Sequence, residues 1–278
     1  MDPLEAIDGW PVATAAAAVV DTHGVSSRRG PTDAVLPLAS VTKPLVALAV
    51  LVAIEEGTLA FDEPAGPRGS TIRHLLAHAS GLPFDGETPI ALPGRRRIYS
   101  NAGFDVLGAR LAEAAAMPVA EYLAAAVLEP LAMTGTALRG PPGSGGFSTV
   151  DDLAKLAVEF LAPTLIDRAT WTEATSVVFP GLSGVVPGYG RTATNDWGLG
   201  VEIKDSKSPH WTAPAGSPRT FGHFGASGTF MWVDPDADIA LVCLTDRDFG
   251  PWAVEAWPAL GTAVLESAGR AAPADRSR

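Results

Sequence analysis

Ser40 and Lys43 lie three residues apart at the start of a long apolar run, residues 44–54, which is followed by Glu-Glu-Gly. The run is apolar on every side, which predicts a helix that is buried all round. We expect this helix to begin at about Ser40, with Pro44 in its first turn and Gly57 just past its end. At helical spacing, Lys43 would lie one turn from Ser40 on the same face.

This spacing could support nucleophilic chemistry. A serine hydroxyl becomes a good nucleophile when a neighbouring base removes its proton, and a lysine amine can be that base when burial lowers its pKa. The N–H groups at a helix start would also stabilise negative charge that develops nearby. Ser40 as a simple helix cap beside a solvated Lys43 is the alternative, because a short Ser-x-x-Lys pattern recurs by chance.

Two further short patterns occur once each in the chain. Of the three tyrosines, only Tyr99 is followed two residues later by an asparagine, Asn101. Of the five histidines, only His223 is followed two residues later by a glycine, Gly225. The first pattern precedes a predicted helix and the second lies in a predicted strand, so both fit a site built around Ser40.

Hydrophobic periodicity and turn residues predict strands near both ends of the chain and helices in its middle. The predicted strands are residues 12–21, 25–29, 197–204, 221–225, 229–233 and 239–245. The predicted helices, besides the buried one, are residues 72–79, 102–116, 119–128, 150–161 and 251–268. Ser148 and Asp151 would cap the helix at 150–161. The pattern indicates an α+β protein with a sheet region over 1–60 plus 185–278 and a helical region over 61–184.

Composition narrows the possible partners. The chain has 278 residues, 47% of them hydrophobic, and a net charge of −11. This acidity argues against nucleic acid or an anionic membrane as a partner. Cys243 is the single cysteine, which excludes an internal disulfide. The first residues carry no basic leader and no apolar run is long enough to span a bilayer, so we expect a cytoplasmic protein.

Taken together, the motifs resemble those of serine β-lactamases and penicillin-binding proteins. The similarity is greatest to the branch of class C β-lactamases, D-alanyl-D-alanine peptidases and β-lactamase-like esterases. Residues 38–44, 99–101 and 223–225 are similar to its three motifs, and supporting stretches are similar at 75–82, 93–94, 129–133, 148–153 and 197–200. The resemblance covers about residues 12–265. It implies a β-lactamase-like fold: an antiparallel sheet flanked by helices, an inserted helical region, and an active site between them.

The resemblance also implies a division of chemical roles. Ser40 would attack a carbonyl and become acylated, and water would then release the acid. Lys43 and Tyr99 would share the work of the general base, with Tyr99 as a phenolate favoured by the nearby ammonium. No metal and no organic cofactor would be needed.

The remaining motif residues would bind the substrate. The resemblance implies that Asn101 hydrogen-bonds the acyl side, and that His223 and Gly225 lie on a strand edge facing Ser40. The backbone N–H groups of Ser40 and Ala226 would form the oxyanion hole.

These roles predict a serine hydrolase that acts through an acyl-enzyme on a small ester or amide. A β-lactamase or D-Ala-D-Ala carboxypeptidase is an alternative with the same chemistry. The lack of a visible export signal counts against it, as does Phe224, which stands where the third motif usually has a small polar residue. A non-catalytic ligand-binding or sensor protein on the same fold is an alternative of another class. The sequence leaves the oligomeric state open.

Two other groups of residues could bind ligands. His74 and His78 are four residues apart in a predicted helix and could bind zinc, although no third ligand is evident. Arg95, Arg96 and Arg97 could hold an anionic substrate beside Tyr99, but a solvated loop is the favoured interpretation.

Overall fold

The two ends of the chain build one antiparallel sheet in the computed structural model, which describes residues 2–271. The strands are Ala15–Asp21 (β1), Gly24–Arg29 (β2), Leu36–Pro37 (β3), Ala137–Leu138 (β4), Gly146–Ser148 (β5), Gly184–Val186 (β6), Gly190–Thr192 (β7), Glu202–Ile203 (β8), Phe221–Gly225 (β9), Thr229–Asp234 (β10) and Ile239–Thr245 (β11). The main sheet has the order β2-β1-β11-β10-β9-β8, and its pairings are all antiparallel. Smaller sheets, β3-β5-β4 and β6-β7, lie in the connections.

Most of the helices lie in the sequence between the first and the last strands of the sheet. They are Thr42–Glu55 (α1), Ile72–Leu76 (α2), Asn101–Ala115 (α3), Val119–Leu123 (α4), Val150–Leu161 (α5), Arg168–Ala174 (α6) and Pro251–Ala271 (α7). Short 3₁₀ segments at Pro3–Gly9 and Ala39–Val41 and a π-helical segment at Ala124–Leu128 complete the set. The mixture of helices with an antiparallel sheet confirms the predicted α+β class.

The central strands β1, β11, β10 and β9 of the main sheet are buried on both faces, which explains why strand β11 is one continuous apolar run. Val242 and Leu244 face the core that contains α1 and α5, whereas Leu241 and Cys243 face the core that contains α7. Cys243 is a buried free thiol, as its apolar surroundings in the sequence suggest. The sheet is therefore a rigid middle layer, and its strand β9 carries the third motif.

The start of the buried helix differs from the prediction by two residues. Ala39 has φ +44°, a left-handed conformation that costs a non-glycine residue about 1–3 kcal/mol. A 3₁₀ turn follows it, so the regular α1 begins at Thr42 rather than at Ser40. The Thr42 hydroxyl donates to the carbonyl of Ala39 at 2.6 Å and accepts from the N–H of Gly146 at 2.9 Å. Ser40 is thus held on a strained turn, while Gly57 follows the helix with φ +77° as expected.

Three other boundaries also differ from the predictions. Helix α2 ends at Leu76, because the backbone turns left-handed at His78 with φ +52°. The strand predicted over 197–204 shrinks to β8, since Gly200, with φ +85°, breaks the extended run. The cap of α5 is Thr149 rather than Ser148, and its hydroxyl accepts from the N–H of Asp152 at 3.1 Å.

Helix α5 lies within the predicted helical region, yet it packs directly on β1 and β11. The sheet and the helical region therefore share one hydrophobic core, and the boundaries at 60 and 185 stay a prediction. Within residues 2–271, no single helix is long and apolar enough to cross a membrane. Helix α3 and the segment 119–128 meet that criterion only as a pair bent by 82°.

Candidate active site

Lys43 is fully buried, and its amine lies at the centre of the first two motifs. Its Nζ lies 2.7 Å from Asn101 Oδ1, 2.7 Å from the carbonyl oxygen of Gly143 and 3.2 Å from Ser40 Oγ. The first two partners can only accept, so they take up two N–H groups. In a neutral amine the remaining lone pair then faces the Ser40 hydroxyl. Gly143 was not anticipated from the sequence, because it contributes only a backbone carbonyl.

The charge state of Lys43 suits this geometry. Burial lowers its pKa to about 7, although the carboxylates of Asp105 and Asp85 partly oppose the shift. The amine is therefore neutral in a large share of molecules near neutral pH. Asn101 Oδ1 is engaged by the amine, so only the Nδ2 group of Asn101 remains for the substrate contact that the motif implied.

Tyr99 packs beside this amine in a cluster of rings. The Lys43 Nζ lies 4.6 Å from the centroid of the tyrosine ring, and the rings of His78 and His223 lie 4.7 and 5.6 Å away. Burial raises the Tyr99 pKa well above 10, although the nearby Ser40 hydroxyl partly opposes this. Tyr99 is therefore a neutral phenol, and the expected phenolate is wrong. The main reason is burial, which disfavours the charged phenolate, and the carboxylate of Glu202 adds to that effect.

His223 projects from β9 and is also neutral. Its Nδ1 lies 2.7 Å from the carbonyl oxygen of Phe224, so Nδ1 carries the ring proton and donates it there. Burial lowers the pKa of His223 to about 3, and the charge of Lys43 adds to that effect. Its Nε2 is buried without a hydrogen-bond partner among the described residues. That nitrogen can accept a hydrogen bond but cannot donate one.

The end of β9 lies against the turn that precedes Ser40. A side chain at Gly225 would place its Cβ 2.3 Å from the carbonyl oxygen of Leu38, so only glycine permits this approach. The Thr229 hydroxyl donates to the same oxygen at 2.9 Å. Ala226, directly after β9, lines the same cavity as Ser40. The structure thus brings the third motif next to the first.

A cavity of about 150 Å³ joins these residues. It is lined by Ser40, Phe84, Tyr99, Val185, Val186, Pro187, Trp197, Glu202, His223, Phe224, Ala226 and Phe249. Its apolar wall was not anticipated, because the loops that supply it are distant in sequence and carry no local signal.

Comparison with known proteins agrees with the geometry. A family model described as Beta-lactamase matches residues 6–265. The chain belongs to the Beta-lactamase family. A crystal structure of a beta-lactamase (Mb2281c) from Mycobacterium bovis is similar with 54% identity and a TM-score of 0.95, over 96% of this chain and 99% of that one. This confirms the β-lactamase-like fold.

Two curated relatives match shorter segments of the chain. Esterase EstB from Burkholderia gladioli is 36% identical over an alignment of 148 positions, which covers 36% of this chain and 38% of EstB. Penicillin-binding protein 4* from Bacillus subtilis (strain 168) is 28% identical over an alignment of 138 positions, which covers 38% of this chain and 31% of that protein. The chain thus spans about a third of the length of these two relatives.

Beyond the family motifs, a buried acidic residue lines the cavity. Glu202 on β8 has its Oε1 3.1 Å from Lys207 Nζ and 3.4 Å from His210 Nε2, and Trp211 Nε1 donates to Oε2 at 2.8 Å. Burial alone would raise the pKa of Glu202. Lys207 and His210 more than offset this, and the carboxylate stays charged. No sequence pattern pointed to this cluster.

The two histidines considered for zinc engage different partners. His74 Nδ1 lies 2.9 Å from Thr71 Oγ1 and its ring stacks on Phe179, whereas His78 Nδ1 accepts from the N–H of Ser100 at 3.2 Å. In the part of the chain from 2 to 271, no three His, Cys, Asp or Glu side chains are grouped to hold a metal ion. The zinc alternative therefore gains no support from the geometry.

Arg97 is not part of a solvated loop. It is 2% exposed, and its guanidinium donates to the backbone carbonyls of Ala77, Val178, Phe179 and Asn195. These carbonyls belong to three separate segments of the chain. Arg97 therefore ties those segments to the loop that carries Tyr99. Arg95 and Arg96 are exposed, as the sequence suggested.

Replacing Arg97 by alanine should destabilise the protein by at least ~3 kcal/mol, because several buried carbonyls would lose their donors. For a chain of this size, such a loss lowers the melting temperature by at least ~6 °C. Thermal unfolding followed by circular dichroism measures it. Arg95→Ala, at an exposed position two residues earlier, is the matched control. Equal melting temperatures for both variants would contradict the structural role of Arg97.

Proposed function

We propose that this protein is a serine hydrolase that acts through an acyl-enzyme on small esters. One observation carries the proposal: the Lys43 amine, with a pKa of about 7, lies 3.2 Å from Ser40 Oγ with its other two N–H groups engaged. In this arrangement the lone pair of the neutral amine is free to accept the proton of the Ser40 hydroxyl.

In the proposed acylation step, Ser40 Oγ attacks the ester carbonyl while its proton passes to Lys43 Nζ. The carbonyl oxygen becomes an oxyanion, which the backbone N–H groups of Ser40 and Ala226 would stabilise. Collapse of this intermediate breaks the bond to the alcohol, and the leaving oxygen takes a proton. Lys43 supplies that proton, with the neutral phenol of Tyr99 beside it as a second donor.

Deacylation runs through the same groups. A water molecule attacks the acyl-enzyme, the neutral Lys43 amine takes its proton, and Ser40 leaves as the hydroxyl when the acid is released. The apolar cavity wall keeps the amine in low dielectric, so its pKa stays low between the two steps.

The surroundings of His223 favour a neutral ester over a β-lactam. The resemblance to β-lactamases and peptidases implies that their substrates would place a carboxylate near this strand. Here the His223 Nε2 can only accept a hydrogen bond, and the Phe224 side chain offers none. A missing charge-assisted hydrogen bond is worth about 1.5–3 kcal/mol, which weakens such substrates by roughly 10- to 150-fold.

We therefore expect hydrolysis of p-nitrophenyl acetate or butyrate, and a kcat/KM at least about 10-fold lower on a chromogenic cephalosporin. Intact-mass spectrometry during each reaction should show the acyl adduct. Efficient cephalosporin turnover with negligible ester turnover at pH 7.5 would contradict the esterase assignment and favour the β-lactamase alternative. Adduct formation without any turnover would favour a sensor that only becomes acylated.

A further inference from the structure

A second cavity, of about 340 Å³, adjoins the one that contains Ser40. The two cavities share Phe84, Tyr99, Val185 and Pro187 in their walls. The wall of the second cavity is apolar and open: Phe84 is 51% exposed, Val185 50% and Ile90 60%. Contiguous exposed apolar side chains on a protein surface mark binding sites. Their continuity with the cavity at Ser40 makes this groove an extension of the proposed active site.

Three arginines line the same groove, and one of them is the buried Arg97, whose guanidinium already donates to backbone carbonyls. Arg96 and Arg191 are both exposed, and within residues 2–271 neither side chain has an ion-pair or hydrogen-bond partner. No acidic residue lines the groove among the described residues. Two unpaired cations at one place are notable in a chain of net charge −11. The groove therefore combines apolar walls with a positive end.

The local structure explains how each arginine is presented. Arg191 pairs directly with Val185 across the β6-β7 hairpin, so both side chains lie on the same face of that ribbon. Arg96 precedes Arg97, whose buried hydrogen bonds anchor the segment, and Arg96 is left at the surface. The hairpin and the anchored segment bring an apolar and a cationic surface together from two distant parts of the chain.

Building on the proposed esterase activity, we infer that this groove binds one arm of the ester, and that Arg96 and Arg191 bind an anionic group at the far end of that arm. The preferred substrates are then apolar esters with a distal carboxylate or similar anion. This anion is separate from the β-lactam carboxylate discussed above, which would lie beside His223. Guanidinium groups bind carboxylates through paired N–H donors, which suits this end of the groove.

Two matched pairs of esters test the inference, one for each arm. For the acyl arm, the half-ester mono-p-nitrophenyl adipate is compared with p-nitrophenyl hexanoate; for the alcohol arm, 3-carboxypropyl butyrate is compared with butyl butyrate. The measured quantity is the ratio of kcat/KM for the anionic over the neutral ester. Arg96→Gln and Arg191→Gln should each lower this ratio about 2- to 5-fold for one of the pairs, as expected for exposed ion pairs.

Arg95→Gln is the matched control, since Arg95 is exposed and unpaired in the same segment but does not line the groove. It should leave the ratio unchanged. High salt should lower the ratio of the wild type towards that of the double variant, because exposed charges are screened. An unchanged ratio for both pairs in the Arg96→Gln/Arg191→Gln variant would overturn this inference alone. A lack of acylation by any of these esters would overturn the proposed function, and the inference with it.

Discussion

Replacing Ser40 by alanine is expected to abolish both ester hydrolysis and labelling by a fluorophosphonate probe. The variant keeps the cavity and the Lys43 amine but removes the oxygen that would form the acyl bond. Residual activity should fall to the background of the assay, and intact mass should show no adduct. The Ser40 hydroxyl accepts from Lys43, which lies only one turn further along the same segment, so the fold should remain, which a melting curve checks.

The control for this experiment is Ser206→Ala. Ser206 is exposed, and its hydroxyl donates only to the neighbouring Asp205 carboxylate at 2.8 Å. It should be labelled and should hydrolyse ester at the wild-type rate. Labelling that persists in Ser40→Ala would show that another nucleophile reacts, and would remove the basis of the proposed mechanism.

Loss of the Lys43 amine should have the second largest effect. Lys43→Ala and Tyr99→Phe should each lower kcat by at least ~100-fold, the usual contribution of a positioned proton-transfer group. The double variant should be little worse than the worse single variant, because both residues serve the same proton transfers. Steady-state kinetics on p-nitrophenyl butyrate measure these values. Additive losses would indicate that the two residues act independently.

The dependence of kcat/KM on pH distinguishes the role of Lys43 from that of Tyr99. The Lys43 pKa of about 7 means that the neutral amine, and so kcat/KM, should rise as the pH increases through about 7 and then level off. Tyr99→Phe should keep this step and Lys43→Ala should lose it. His223, with a pKa of about 3, stays neutral throughout. If the rise in kcat/KM disappeared in Tyr99→Phe instead, the tyrosine would be identified as the general base.

Lys155→Ala is a suitable control for the loss of a lysine charge. Lys155 lies on α5 with a 42% exposed side chain that pairs with Asp152, and it does not line the cavity. Its removal should change neither kcat nor the pH step.

Local sequence determined those helices and strands that depend only on the residues next to them in the chain. The buried helix, the β1-β2 hairpin and the run of β9, β10 and β11 follow from apolar periodicity and turn residues, which act over a few residues. The pairing of Ser40 with Lys43 is equally local, because a single helical turn brings positions i and i+3 together. These parts of the site could be predicted before any tertiary contact was known.

Arg95, Arg96 and Arg97 show where local sequence stops being sufficient. Three identical residues in a row carry one local signal, yet Arg97 is buried against carbonyls from three segments, Arg96 lines a groove, and Arg95 is simply exposed. Only the tertiary arrangement decides which guanidinium finds buried acceptors. Hydrogen bonds to backbone carbonyls from distant segments offset the desolvation cost of the buried charge.

The chemical states of the site residues also depend on tertiary structure. The sequence placed Tyr99 and Asn101 near the nucleophile, but burial decided that the tyrosine is a neutral phenol and that Asn101 accepts from Lys43 across 58 positions of sequence. The cavity wall comes from loops that no periodic pattern marks. Residue types and spacing therefore determined which groups could react, whereas their protonation and the shape of the pocket depend on desolvation and packing, which arise only when distant segments meet.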